Sequence, residues 1–334
     1  MKIAIHHRRG SFSYRWIDYC KENDISYKIV NAYDNDIVQQ VDDCSAFMWH
    51  HTHSDYRDRL FAKQLIYSLE IKGLKVFPDF CSTWHFDDKV GQKYLLEAVG
   101  APLVPTYIFY NKKKALEWAN QATFPKVFKL RTGAGSANVA LVPDKKKAVR
   151  LIRKAFGKGF SQFNRYGNLK ERIRRYKEGK DSLMGVYKGI GRLFVPTELA
   201  KMVTREKGYI YFQDYIANNL YDIRVVVVLN KAFAIKRLTR KNDFRASGSG
   251  MIMYDKDQID ERCVQIALEV NKRLRSQCTA YDFVFDANNN PLLLEISYGF
   301  APEPYDLCEG YWDESLNWHD GPFNPYGWMV DLVK

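Results

Sequence analysis

The 334-residue chain predicts an α/β protein that changes character along its length, from a parallel α/β layer to α+β lobes built on antiparallel sheet. Three observations carry this. Residues 1–84 alternate short apolar strands with helical patterns, as a parallel sheet with crossover helices requires. From Tyr209 onward the strand runs are joined by short turns, the mark of antiparallel pairing. With 46% hydrophobic and 27% charged residues the composition is that of an ordinary folded protein, long enough for two or three packed lobes.

Taken in order, Lys2–His6 reads as a strand, Phe12–Glu22 as a helix and Ser26–Val30 as a strand. Ser45–Trp49 is another strand, Asp55–Lys72 a helix and Lys75–Phe77 a strand. Ligands of such sheets gather beyond the carboxyl ends of the strands. His6, His7, Arg8 and Arg9 fall at one such end, and His50, His51 and His53 at another. A metal site, a substrate mouth lined by His6, His7, His50 and His51, and polar loop residues without a role all fit this placement.

Asp87 to Gly100 is a helix with acidic residues at its start and glycine at its end. A strand follows at Tyr107–Tyr110. Then Lys129 ends a strand that runs into Gly133-Ala134-Gly135-Ser136, after which a second strand returns. Small residues let backbone N–H groups approach phosphate oxygens, and a nearby lysine adds charge, although a Gly-rich hairpin is also simply a tight turn. Neither GxxxxGK[ST] nor GxGxxG is present, which excludes a P-loop and a Rossmann fingerprint.

Asp144–Phe156 reads as a helix, and residues 168–180 carry Lys170, Arg172, Arg174, Arg175, Lys177 and Lys180. This basic stretch is either a solvated face or a flap that attracts an anion; no nucleic-acid-binding module accompanies it. The net charge of +12 points the same way, to an anionic ligand.

Tyr209–Ile216 is a strand, followed by Asp222–Leu229 and a return strand to Arg237. With Asn230-Lys231 as the turn, Arg224 would lie opposite Arg237, two cations placed to share an anion. Arg245 and Ser247 follow in a Gly-rich loop, and Asp257–Ser276 is a long amphipathic helix. The last hairpin joins Tyr281–Phe285 to Leu292–Ser297 through an Asp286–Pro291 turn. Placing Tyr281, Phe283 and Phe285 on one core face with Leu292, Leu294 and Ile296 sets Asp282 opposite Glu295, with Ser297 two residues on. Opposed carboxylates about 5 Å apart repel, and a hard divalent cation would bridge them.

Lys89, Lys129 with its glycine loop, Asp222-Ile223-Arg224, Asp243-Phe244-Arg245, Asp282 and Glu295-Ile296-Ser297 occur in an order that resembles the ATP-grasp superfamily. The resemblance is strongest to the glutathione synthetase and ribosomal-protein S6 glutamate-ligase type, and it spans about residues 75–300. It implies an ATP-grasp fold with a parallel α/β pre-ATP-grasp domain at 1–84 and the ATP-grasp domain at 85–334, its lid at about 123–212 and its catalytic part at about 213–334. In that family ATP lies between two antiparallel sheets. The match implies ATP contacts from Lys89, Lys129, Gly133, Gly135 and Ser136, and an adenine-holding segment Gln213, Asp214, Tyr215 and Ile216. Asp222 matches the ribose acid, and Asp282, Glu295 and Ser297 the ligands of Mg2+, or of Mn2+ in its place. Arg224, Arg237 and Arg245 match the basic positions around the γ-phosphate.

Two positions depart from the pattern: Ser297 and Ser247 stand where the family commonly has asparagine. A hydroxyl still ligates magnesium, but the number of metals is left open. The activity implied is that of an ATP-dependent ligase joining an anionic carboxylate to an amine or thiol through an acyl-phosphate. The basic lid and the aromatic tail 301–334 suggest a sugar acid or amino acid of surface-polysaccharide metabolism. A kinase acting on a polyol or inositol phosphate and a non-catalytic ATP-binding module are the alternatives. Six scattered cysteines without a CxxC pair, no apolar run long enough to span a membrane and no signal-peptide pattern predict a reducing, cytoplasmic setting.

Overall fold

The computed structural model describes residues 1–133, 138–162, 169, 172–174, 176, 182–194, 204–239 and 250–334. The chain forms two compact units: residues 1–53, 57–104 and 216–334 make the first, and residues 54–56 and 105–215 the second.

The first unit begins with strands β1 (Ile3–His6), β2 (Tyr27–Val30), β3 (Ala46–Trp49) and β4 (Lys75–Phe77), all parallel in the order β2-β1-β3-β4. The expected parallel sheet is therefore present. Helices α1 (Ser13–Glu22), α2 (Ile37–Gln40) and α3 (Tyr56–Ile71) serve as its crossovers. Ser13, Trp16, Ile17 and Cys20 recur at helical spacing and bury one face of α1. After α4 (Phe80–Thr83), Asp88 caps α5 (Lys89–Ala98) by accepting from the Gly91 N–H.

In the second unit, β5 (Thr106–Phe109), α6 (Lys112–Gln121), β6 (Lys126–Lys129), β7 (Val139–Val142), α7 (Lys145–Ala155), α8 (Leu183–Phe194) and β8 (Ile210–Asp214) follow in order. Its sheet runs β5-β8-β6-β7 and is antiparallel. Phe128, Ile152, Phe160 and Phe212 lie in its core.

The chain then completes the first unit. Strands β9 (Tyr221–Val228), β10 (Lys231–Leu238) and β11 (Ile252–Met253) precede α9 (Glu261–Leu274), which Asp260 caps. Strands β12 (Cys278–Phe285), β13 (Pro291–Ser297), β14 (Gly310–Trp312) and β15 (Trp318–Asp320) and helix α10 (Pro325–Val333) finish the fold. The seven-stranded sheet has the order β13-β12-β9-β10-β14-β15, with β11 beside β10. Its two faces bury different cores. Ile223, Val225, Val227, Tyr281 and Phe283 pack with α9 residues such as Val264 and Ala267. On the other face Val226, Val228, Phe233, Cys278 and Ala280 pack with Phe12 and Trp16 of the N-terminal layer and Met329 of α10. The apolar cover on that face stops short of the strand ends that carry Asp222, Arg224 and Asp282, so charged side chains occupy its other half.

Two register expectations are corrected. The β9–β10 turn is Leu229-Asn230, with Val228 paired to Lys231, so Arg237 lies opposite Asp222 and Arg224 opposite Ile235. A shift of two residues keeps every side chain on its face, so the apolar pattern does not distinguish the two registers. Tertiary bonds decide between them. Leu229 is held at φ 58° by its N–H donating to the Gln277 carbonyl at 2.9 Å and by the Asn271 amide donating to its carbonyl at 3.1 Å. In the last hairpin Asp282 does face Glu295, but a bulge between Asp282 and Phe283 then moves Leu293, rather than Leu292 or Leu294, onto the core face. Residues 102–104 run alongside, with the Leu293 N–H donating to the Pro102 carbonyl and its carbonyl accepting from the Val104 N–H.

Candidate active site

The charged half of the seven-stranded sheet gathers ionic side chains of four strands on one face. Asp282 of β12 is flanked by Arg224 of β9 on one side and Glu295 of β13 on the other. Arg237 of β10 donates to both carboxylate oxygens of Asp222, at 2.6 and 2.7 Å, and to Asp282 at 2.9 Å. Such a two-pronged pair is stronger and better oriented than a single contact. Burial works against the Arg237 guanidinium, but Asp282 and Asp222 outweigh it and push its pKa up. Burial likewise pushes the Asp222 carboxyl up, against the pull of Arg237.

Arg224 Nε lies 3.1 Å from Asp282 Oδ1 as an ion pair, yet it is buried and makes no hydrogen bond among the described residues. Its donor is thus left for an anionic oxygen. Lys89, buried at the start of α5, pairs with Glu295 at 3.0 Å. Ser297 shares this face and donates its hydroxyl hydrogen to the Gly299 carbonyl at 2.7 Å, which leaves its lone pairs available. Two opposed carboxylates and a hydroxyl are the oxygen donors that magnesium takes, so the residues fit that ion. Among the described residues no group of three or more His, Cys, Asp or Glu is placed to hold a metal, so any ion here would complete its shell from other oxygens.

The second unit carries the other nucleotide candidates. Lys129 ends β6 and is buried; Gly133, at φ 117°, opens the glycine loop, while Gly135 and Ser136 lie outside the described residues. Asp214 accepts from Lys126 at 2.5 Å, and buried Gln213 donates to Thr106 at 3.1 Å while its own carbonyl oxygen has no partner among the described residues. Tyr215 and Ile216 stand where the chain passes from the second unit to the first. Arg245 and Ser247 also lie outside the described residues.

The histidines are largely built in. His6 Nδ1 accepts from the Ala32 N–H at 2.9 Å, and His50 Nδ1 accepts from the Phe12 N–H at 3.0 Å while its ring stacks on Phe12. His51 makes a short bond with Thr83, and the Tyr298 hydroxyl donates to the His51 carbonyl. Together His50, His51 and Phe86 pack on Tyr298 and Gly299, anchoring the segment just after Ser297. His7 is exposed and bonds Ser13.

Sequence reasoning missed two residues. Tyr305 is buried beside Arg224, Arg237 and Asp282; burial pushes its hydroxyl up to about 12, against the pull of the two arginines. Only its place in the aromatic tail hinted at it. Glu206 accepts from the Arg131 N–H, the Thr132 hydroxyl and the Tyr209 hydroxyl, and so fixes the stem of the glycine loop. No motif marks it.

This architecture is the ATP-grasp fold. More particularly, residues 193–301 match the RimK-like ATP-grasp domain. A RimK domain ATP-grasp protein from Sphaerobacter thermophilus superposes with a TM-score of 0.57 at 13% identity, over 100% of this chain and 99% of that one. The D-alanine–D-alanine ligase from Bacillus anthracis complexed with ATP gives 0.56 at 13% identity, over 100% and 95%. D-cycloserine synthetase gives 0.59 at 15% identity, over 100% of both chains. No curated protein matches this chain. The expected fold and the resemblance on which it rested are borne out.

Proposed function

We propose that the chain is an ATP-dependent ligase that joins an anionic carboxylate to an amine or thiol through an acyl-phosphate, using ATP with Mg2+. The observation that carries the reading is the single sheet face holding Arg224, Arg237, Asp282 and Glu295, in an ATP-grasp fold. Structural neighbours that bind ATP or MgADP, among them a 2-oxoglutarate carboxylase domain from Hydrogenobacter thermophilus, support it.

A carboxylate is a poor electrophile. Its oxygen attacks the γ-phosphorus as the bond to ADP breaks; the amine or thiol then attacks the acyl carbon, phosphate leaves with the bonding pair, and the nucleophile loses its proton. Arg224 and Arg237 hold the phosphoryl oxygens and offset their charge. Asp222 acts as a positioning residue, since its two bonds fix the Arg237 fork. Asp282 and Glu295, with Ser297, would hold Mg2+, which when bound neutralises charge on the transferring group. Lys89, paired with Glu295, supplies further positive charge to the phosphates.

The test is ADP and phosphate release against libraries of carboxylates and amines. Release of both products in equal amounts only when both substrates are present is expected. Transfer to a hydroxyl without free phosphate would replace the ligase by a kinase, and tight Mg-ATP binding without turnover would leave a binding module.

A further inference from the structure

Helix α8 in the second unit is built inside out. Among the residues whose side chains are described, the buried ones are Gly185 and Gly189, while Leu183, Met184, Tyr187 and Ile190 are 50%, 60%, 60% and 41% exposed. At about 100° per residue those four side chains fall within one broad outward face, with Lys188 at its margin. The inward glycines have a reason. A Cβ on Gly189 would come within 2.9 Å of the Arg172 side chain, and Arg172 donates to the Gly185 carbonyl at 3.0 Å. This stretch of the helix is therefore seated by its small residues, and Leu183, Met184, Tyr187 and Ile190 are turned to solvent.

Charge identifies what suits this face. Residues 144–194 carry sixteen Lys and Arg against four Asp and Glu, an excess that equals the net charge of +12 of the whole chain. A second copy docked through this helix would bring two such basic segments together. Nucleic acid would meet the charge but has no use for Leu183, Met184 and Ile190. An anionic lipid surface satisfies both, with headgroups for the cations and the acyl boundary for the apolar side chains. A helix of twelve residues is about 18 Å long, so it lies on a membrane, and among the described residues no helix is long and apolar enough to cross one.

We infer that α8 seats the chain on the surface of anionic lipid bilayers through Leu183, Met184, Tyr187 and Ile190. The full-length protein is sedimented with vesicles of phosphatidylcholine alone or mixed with phosphatidylglycerol. Binding to the mixed vesicles should exceed binding to the neutral ones by about tenfold or more, and should weaken as salt is raised. Leu183→Glu with Tyr187→Glu should remove it while the thermal midpoint stays unchanged, because both side chains are exposed. In a separate chain, Tyr187→Trp should shift its emission to the blue on mixed vesicles. No binding to the mixed vesicles, undiminished binding by the double variant, or an unshifted tryptophan would overturn the inference. So would a concentration-dependent dimer, or binding to RNA in place of vesicles, that the double variant abolishes.

Discussion

Asp282 faces Glu295 across the β12–β13 ladder, and the two pair with different cations: Arg237 and Arg224 with the first, Lys89 with the second. Three positive groups thus hold apart two carboxylates that would otherwise repel. Arg224 and Arg237 are also the groups to which the proposed reaction assigns the phosphoryl oxygens. An anion that draws the arginines away frees Asp282 for a divalent ion, so nucleotide and metal should strengthen each other's binding.

Asp282→Asn and Glu295→Gln should each abolish magnesium-dependent ADP release while leaving a folded protein. Both substitutions keep the side chain's size and shape but remove the charge and turn one acceptor oxygen into an NH2 donor, which a magnesium ion does not take. Product release and the thermal midpoint are measured together; full activity in both variants would sink the proposed metal role.

Arg237→Ala should cost about 3–5 kcal/mol, because it strands Asp222 in a buried setting and leaves Asp282 with Arg224 alone. Adding Asp222→Asn to that variant should recover part of the loss, since the stranded charge is gone. Urea unfolding of the three chains checks this. A loss under about 1 kcal/mol would mean that water reaches the pair, as at an ordinary surface ion pair.

The Leu229 turn shows where the sequence stops being informative. Residue type favours Asn230-Lys231 as the turn, and the chain instead places a branched residue at φ 58° because Gln277 and Asn271 bond its backbone from elsewhere in the fold. Alternation was enough to put Asp282 and Glu295 on one face. Their direct opposition also needs the bulge, since the turn that pairs Phe285 with Pro291 would by itself set Asp282 opposite Leu294. The bulge was not legible, since it depends on residues 102–104 pairing with Leu293 from far along the chain. Histidines at strand ends were found by position, but burial against Phe12 and Tyr298 is a property of the assembled core. Glu206 carries no motif, because its partners are two backbone-neighbouring donors and a tyrosine brought together only by folding.

Leu229→Asn should stabilise the protein by about 1 kcal/mol. Asparagine tolerates the left-handed conformation, and Leu229 is 44% exposed, so little core is lost. The backbone bonds to Gln277 and Asn271 remain. A lower denaturation midpoint would show that the leucine side chain contributes more than its backbone conformation costs.

Stability should fall steeply as the solution is acidified below neutrality. Burial lowers the pKa of His50 and of His85 from 6.5 to about 3, and that of His51 also well below 6.5. The folded state keeps these rings neutral while the unfolded chain protonates them, so their contribution is fully present above about pH 6.5 and is lost as pH falls towards 3. Each ring steepens the slope by about 1.4 kcal/mol per pH unit. His85 has no hydrogen-bond partner for either ring nitrogen among the described residues, so His85→Phe should flatten the slope by one proton at little other cost. Thermal midpoints between neutral and mildly acidic pH measure it, and an unchanged slope would mean that His85 is protonated in the fold.

Glu206 should prove to be a positioning residue for phosphate binding. Its carboxylate takes the Arg131 N–H at 3.1 Å, the Thr132 hydroxyl at 2.6 Å and the Tyr209 hydroxyl, and the Arg131 N–H also donates to that hydroxyl at 2.7 Å. Strand-like bonds to Phe160 hold the Glu206 backbone itself. Burial, reinforced by Glu206, pushes the Tyr209 hydroxyl up, so it stays protonated and donating. Glu206→Ala removes the acceptor from three donors at the point where the chain enters the glycine loop, a loss of about 1–3 kcal/mol. If that loop cradles phosphates, KM for ATP should rise by about tenfold with a much smaller change in kcat. Binding of adenosine, which has no phosphate, should stay unchanged. Tyr209→Phe, which removes one of the bonds, should show a smaller effect in the same direction. Equal weakening of ATP and adenosine would instead mean that Glu206 merely holds the second unit together, because a general loss of structure does not distinguish the phosphate-bearing ligand from the bare nucleoside.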